Sequence, residues 1–200
     1  MRKRVKGKPD AALYQVRKEA LGLLEEKSWQ GHIDLFYGDE SQVSPEGYVP
    51  YDWQFADEDV CVESAKGKGL HCFALLSRDN RLLYATREES ITADFIIEQL
   101  DRLSLELVKP TVVVLDNASV HTAAKVRKQL DDWQQWGLFL FYLPVHSPHL
   151  NIAERLWKEL KARWLKPQDY RTTDSLFYAV KMALATVGKN LFINFSEYKF

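Results

Sequence analysis

The run TVVVL at residues 111–115 constrains the fold more than any other stretch of the chain. It is too short for an ordinary helix and rich in β-branched residues, so it reads as a strand buried on both faces of a sheet. Asp116 ends the run, and Asn117, Ala118 and Ser119 follow with the composition of a loop. A carboxylate therefore stands at the carboxyl end of a central strand, where open α/β sheets gather their ligands. A second acid, Glu154, opens a helix just after another strand-like stretch. Asn151 precedes it by three residues as an N-cap type, and Ala153, Leu156, Trp157, Leu160 and Trp164 follow at helical spacing. Singly, each acid has a plain explanation. Asp116 begins a turn, and Glu154 closes a capping box on Asn151.

A third acid changes that reading. In HIDLFYGDES, Ile33, Leu35, Tyr37 and Asp39 share one face of a strand, and His32, Asp34, Phe36 and Gly38 share the other. Asp39 thus continues a largely apolar face, where a carboxylate is costly to bury without a compensating positive charge. Asp34 and Glu40 project to the opposite side and are expected to be solvated.

Around these acids the chain alternates strands and helices. Leu13, Val16, Ala20 and Leu24 form the inward stripe expected of a helix from Pro9 to Lys27. Tyr51 to Val62, with Trp53 and Phe55, makes a short strand, and Leu70 to Leu76 and Leu82 to Thr86 make a hairpin turning at Arg78, Asp79 and Asn80. Thr92 caps a crossover helix with Ile96, Leu100, Leu103 and Leu107 inward. Thr122 caps another through Trp136, with Ala123, Val126, Leu130 and Trp133 inward and Gly137 at its end. Leu138 to Tyr142 is a strand. A last helix from Asp174 to Val187 carries Leu176, Val180, Ala183, Leu184 and Val187 and stops at Gly188. The pattern predicts an α/β fold with a five-stranded mixed sheet flanked by helices. The domain expectation is a basic arm and N-terminal helix over 1–28 and a single domain over 29–200.

Two hundred residues suit one such domain. No apolar run reaches the ~20 residues of a membrane span, and the basic start is not an export signal, so neither membrane nor secretion is expected. Cys61 and Cys72 are too few and too widely spaced for a disulfide framework or a four-ligand zinc site, and they read as core thiols in a reducing, cytoplasmic setting. Net charge is −1, which weighs against indiscriminate coating of nucleic acid. The basic residues are nevertheless clustered: Arg2, Lys3, Arg4, Lys6 and Lys8; Lys125, Arg127 and Lys128; Lys158, Lys161, Arg163 and Lys166. Stripes of this kind suffice to bind phosphates.

A right-handed crossover lays the strand at 111–115 parallel to and beside the first strand. That brings Asp39 and Asp116 to neighbouring strand ends, with Glu154 leaning over them. Like charges held this close call for cations among them. All-oxygen donors with room for water and phosphate suit Mg2+ or Mn2+, and two ions about 4 Å apart support in-line phosphoryl transfer. Lys158 and Lys161 lie one and two turns from Glu154 on its helical face, within reach of a nucleic-acid backbone, although a solvated face with a Glu to Lys pair has the same pattern. His121, His146 and His149 read as structural, hydrogen-bonded histidines. Trp133, Trp136, Trp157 and Trp164 read as core before base-stacking platforms.

GDES, VLDNASVH and SPHLNIAERLW together resemble the three catalytic motifs of DDE transposases, specifically the mariner-like superfamily and its bacterial insertion-sequence branch. The resemblance covers most of the chain. It implies a ribonuclease H-like fold, Asp39, Asp116 and Glu154 as catalytic metal ligands, and Mg2+ or Mn2+, two ions, as cofactor. It also implies cleavage of DNA at transposon ends, attack of the freed 3′ hydroxyl on target DNA, and a homodimer on paired ends. Lys158, Lys161, Arg163 and Lys125 are the expected DNA contacts. His149 and Ile152 depart from the family's usual residues without touching the acids. The helix-turn-helix segments that usually precede such a domain are not present, so end recognition is expected from a missing N-terminal segment or a separate helix-turn-helix polypeptide. The alternatives are a ribonuclease H-like nuclease that cuts without joining and a catalytically silent DNA-binding remnant.

Overall fold

The computed structural model describes residues 11–46 and 66–195. The strand expected at Tyr51 to Val62, the basic residues of the amino end and Cys61 lie outside the described residues. Among the described residues, five strands form one mixed sheet: β1 (Asp34–Val43), β2 (Leu70–Leu76), β3 (Leu82–Arg87), β4 (Thr111–Leu115) and β5 (Leu138–Tyr142), in the order β3-β2-β1-β4-β5. Two compact units divide the chain within β1. The first comprises residues 11–38 and 93–151, the second residues 39–46, 66–92 and 152–195. None of the described helices is long and apolar enough to cross a membrane.

In the first unit, β1, β4 and β5 run parallel, with Asp34 opposite Thr111 and Tyr37 opposite Val114, and Thr111 opposite Leu138. All five residues of β4 are buried, as their composition requires of a strand covered on both faces. Helix α2 (Ala93–Leu105) supplies the crossover, with Ile96, Leu100 and Leu103 inward as expected, while Leu107 falls beyond its end. Asp34 was expected in solvent but is buried and pairs with Lys109 at 3.1 Å. The reason is its strand: residues 34–39 of β1 are all buried, so both of its faces are covered there. Glu40, expected in solvent as well, is half-buried.

Helix α1 (Ala11–Trp29) forms where expected but is rotated. Leu21 and Glu25 face inward, whereas Leu13 and Val16, taken from the sequence as inward, are 52% and 60% exposed. Polar and aromatic anchors set the rotation. The Tyr37 hydroxyl donates to Glu25, the Arg17 guanidinium stacks over Phe141, and Tyr14 hydrogen-bonds His149 at 3.0 Å. The helix expected from Thr122 is two shorter ones, α3 (Ala124–Lys128) and α4 (Leu130–Gln135). They divide at Gln129, whose amide bonds to the Val126 carbonyl three residues back, a tighter turn than an α-helix makes. Thr122 does not cap; its hydroxyl donates to the Ala118 carbonyl. Gly137 ends α4 in the left-handed conformation, at φ +88°.

In the second unit, β2 and β3 form the expected antiparallel hairpin, turning through Asn80 in the left-handed conformation. Leu70, Cys72, Ala74 and Leu76 alternate onto one face of β2 and pack in a core with Leu156, Trp157 and Leu160 and with Leu176, Val180 and Leu184. The first trio belongs to α5 (Ala153–Glu159) and its π-helical continuation Leu160–Trp164, the second to α6 (Thr173–Thr186). The Thr172 hydroxyl caps α6 by accepting from the Ser175 amide at 3.1 Å.

Candidate active site

Glu154 stands in the first turn of α5, exposed, and the capping box that would explain it as a local device does not form. The backbone of Asn151 is extended, and its side chain donates across to the Gly38 carbonyl at 3.0 Å instead. Asn151 thus ties the approach to α5 to the residue just before Asp39. Glu154 remains uncommitted to the helix start.

Asp39 is buried, at 8% exposure, and accepts a hydrogen bond at 3.0 Å from the indole Nε1 of Trp157, one turn beyond Glu154 on α5. The positive charge that acts on Asp39 is that of Lys161. It lies on the π-helical continuation of α5, half-buried, with its ammonium donating to the Ser41 hydroxyl at 2.8 Å. Burial holds the Lys161 pKa below the ordinary lysine value, while Cys72, Asp39 and Glu154 pull it back up. Burial in turn pushes the Cys72 thiol up to about 12, against the pull of Lys161 and Lys181. A thiol that titrates near 12 is uncharged at neutral pH. The charges acting on Lys161 there are therefore those of Asp39 and Glu154.

Asp116 belongs to the first unit and follows β4 directly. The turn expected of it is present: its Oδ1 accepts from the Ala118 amide at 2.8 Å. A second bond comes from Nδ1 of His121 at 2.7 Å, and this bond, followed by that of Ala118, holds the carboxyl below the usual aspartate range against the opposing effect of burial. Among the described residues both bonds fall on Oδ1, and the Asp116 side chain is half exposed.

In the second unit the charges of Asp39 and Glu154 both act on Lys161, while Asp116 has its own setting in the first. Among the described residues, no three His, Cys, Asp or Glu side chains form a ready-made metal cage. The donor chemistry fits a hard divalent cation, because each acid offers oxygen only and Asp116 and Glu154 are open to solvent. Of the expected DNA contacts, Lys158 is exposed, Arg163 pairs with Glu159 at 3.0 Å, Lys125 pairs with Asp94 at 2.9 Å, and Lys161 is turned toward Ser41. His149 bonds to Tyr14, and His121 bonds to Asp116. Sequence reasoning missed the partners: Trp157 is core, as expected, yet also a donor to Asp39. The spacing of Asp116 and His121 in DNASVH was the one available hint of theirs.

The family described as DDE superfamily endonuclease matches residues 34–177, a span that holds all three acids. The chain belongs to the DDE endonuclease superfamily. No curated protein matches it. Among solved structures, this DDE endonuclease domain is similar to the chain in the Mos1 strand transfer complex, at TM-score 0.51 and 15% identity over 96% of this chain and 66% of that one. It is similar to the mariner Mos1 paired end complex with Mg, at TM-score 0.50 and 15% identity over 96% and 68%. A simian T-cell lymphotropic virus intasome gives TM-score 0.56 and 12% identity over 80% and 50%. The DDE domain spans about two thirds of the Mos1 chains and half of the intasome chain. At these identities the likeness concerns the fold, a ribonuclease H-like mixed sheet flanked by helices.

Proposed function

We propose that this DDE domain is the catalytic part of a mariner-like transposase, cutting DNA at transposon ends and joining the freed 3′ hydroxyl to target DNA. The observation that carries the reading is the parallel register of β1 and β4. Tyr37 lies opposite Val114, and Asp39 and Asp116 each follow two residues later along strands that run the same way. The Asn151 bond to Gly38 supports the same reading for Glu154, which follows three residues after the anchor. Asp39, Asp116 and Glu154 would hold the metal, in the catalytic domain at 29–200. Bound there, two Mg2+ or Mn2+ ions would activate the attacking oxygen and stabilise the leaving one.

The chain's own residues have separable tasks in this scheme. His121 and the Ala118 amide hold one oxygen of Asp116. Trp157 holds one oxygen of Asp39. Lys161 supplies positive charge beside Asp39 and Glu154, and Lys158 is the exposed lysine one turn from Glu154 for a backbone phosphate. Lys125 can join it, because an exposed ion pair such as that with Asp94 is worth only about 0–1 kcal/mol and yields to a phosphate, and Arg163 can join it through its exposed guanidinium.

The test is nicking of supercoiled DNA with Mg2+, followed by joining of pre-cut duplexes, taken from the sequences that flank the gene, into a target plasmid. Nicking and joining that are both lost in Asp39→Asn, Asp116→Asn and Glu154→Gln are expected. Nicking without joining would favour a nuclease, and binding without nicking would favour a silent remnant.

A further inference from the structure

We infer that His121 is the positioning residue for Asp116, pinning one carboxylate oxygen so that the other is presented to a divalent cation; this rests on the reading of Asp116 as a metal ligand. An aspartate carboxylate turns freely about its last torsion unless something fixes it. Here Oδ1 takes two donors, the Ala118 amide at 2.8 Å and His121 Nδ1 at 2.7 Å, and they settle that torsion together. A turn at Asp116 requires only the amide. The imidazole is an additional donor, and it is 0% exposed while the carboxylate it serves is 48% exposed. With a carboxylate as acceptor, Nδ1 carries the proton.

The imidazole is itself held. Its residue's amide donates to the Ala118 carbonyl at 3.0 Å, and its carbonyl accepts from the Tyr142 hydroxyl at 2.9 Å, which ties the loop after β4 to the end of β5. A rigid, buried donor behind a half-exposed acid is the arrangement by which outer groups orient metal-binding carboxylates. Histidine as mere core filler requires no donor at Nδ1. The two roles part on substitution: leucine keeps much of the volume without the donor, and asparagine keeps a donor near Nδ1 without the ring.

The experiment follows Mn2+ binding to the full chain by the electron spin resonance of the free ion, beside the Mg2+ dependence of plasmid nicking. His121→Leu is expected to weaken Mn2+ binding by about 10–100-fold and to raise the Mg2+ needed for nicking correspondingly. His121→Asn is expected to restore both to within a few-fold, with circular dichroism unchanged in each. Leucine that binds Mn2+ as tightly as the parent, or asparagine no better than leucine in a folded chain, would overturn the inference. Should His121→Leu not fold, His121→Asn is compared with His121→Gln, whose amide reaches the Nε2 position instead; equal binding by the two would overturn it. Asp116→Ala separates the two levels of argument. If it retains Mn2+ binding and nicking, the metal-ligand reading of Asp116 falls. If it loses both while His121→Leu loses neither, only the role of His121 falls.

Discussion

The indole Nε1 of Trp157 donates to Oδ2 of Asp39 at 3.0 Å, with 4% and 8% of the two residues exposed. A tryptophan of the core is thereby also a donor to a buried carboxylate. The same side chain joins Asp39 on β1 to the helix that begins beside Glu154.

Trp157→Phe keeps most of the ring packing and removes that donor. Leaving a buried acceptor short of its hydrogen bond costs about 1–3 kcal/mol. Urea unfolding of the variant is expected to show a loss of this size at unchanged m-value. An unchanged midpoint would show that the indole contributes by its volume alone.

Asn80 makes a second joint whose strength can be measured. It turns the β2–β3 hairpin at φ +64°, donates to the Ile193 carbonyl at 3.1 Å and accepts from the Ile193 amide at 2.7 Å, so the hairpin holds the segment that follows α6. Asn80→Ala loses both bonds and keeps a Cβ in a left-handed conformation, for an expected loss of about 2–4 kcal/mol. Asn80→Gly loses the bonds but relieves the backbone, so it should lose less. Equal losses would mean that the conformation contributes nothing. Gly188 abuts the same joint at φ +76°, where a Cβ would collide with the Asn80 carbonyl. Gly188→Ala should therefore also lower the urea midpoint, and an unchanged midpoint would show that the joint shifts to admit the methyl group.

What the sequence made legible was whatever depends on neighbours along the chain. The β-branched run of β4, the hairpin, the stripe of α6 and the acid after β4 all appear as read, because period and composition report local burial directly. What it hid depends on partners far away. Glu25 faces inward because Tyr37 donates to it, and Asn151 reaches Gly38 in place of capping α5. Neither choice leaves a periodic trace. The site divides in the same way: the acids stand out as residues, but Trp157, His121 and Ser41 gain their roles only from contacts that folding creates.

Cys72 should be silent to thiol reagents in the native chain. It is fully buried, and burial pushes its pKa from 9.0 up to about 12, so almost no thiolate exists at pH 8. In a Cys61→Ser background, Ellman's reagent is expected to react only at the rate of unfolding and quickly in urea. The linkage has a definite sign. A folded pKa above the unfolded one contributes stability that is complete below about pH 9 and is lost as pH rises toward 12. Rapid native labelling at pH 8 would contradict both statements.

Lys161 should trade stability for activity. Its pKa is lowered, with burial outweighing the attraction of Asp39 and Glu154, so carrying the charge in the folded chain is a net burden at neutral pH. By linkage the unfolded chain binds more protons as pH climbs from the folded value toward 10.5, and the burden lifts over that window. Lys161→Met keeps the aliphatic stem beside the core, and its loss of the Ser41 bond is softened by solvent at a half-buried hydroxyl. The variant is therefore expected to melt at the parent's temperature or slightly above it at pH 7, with the difference shrinking toward pH 10, while metal-dependent nicking falls. Comparing the two chains at each pH largely cancels the contribution of Cys72, which both retain. A lower melting temperature at pH 7 would instead make Lys161 a structural counter-ion for Asp39. Equal nicking would remove it from the chemistry altogether, since a lysine kept at a cost to folding and without effect on cleavage has no role in either.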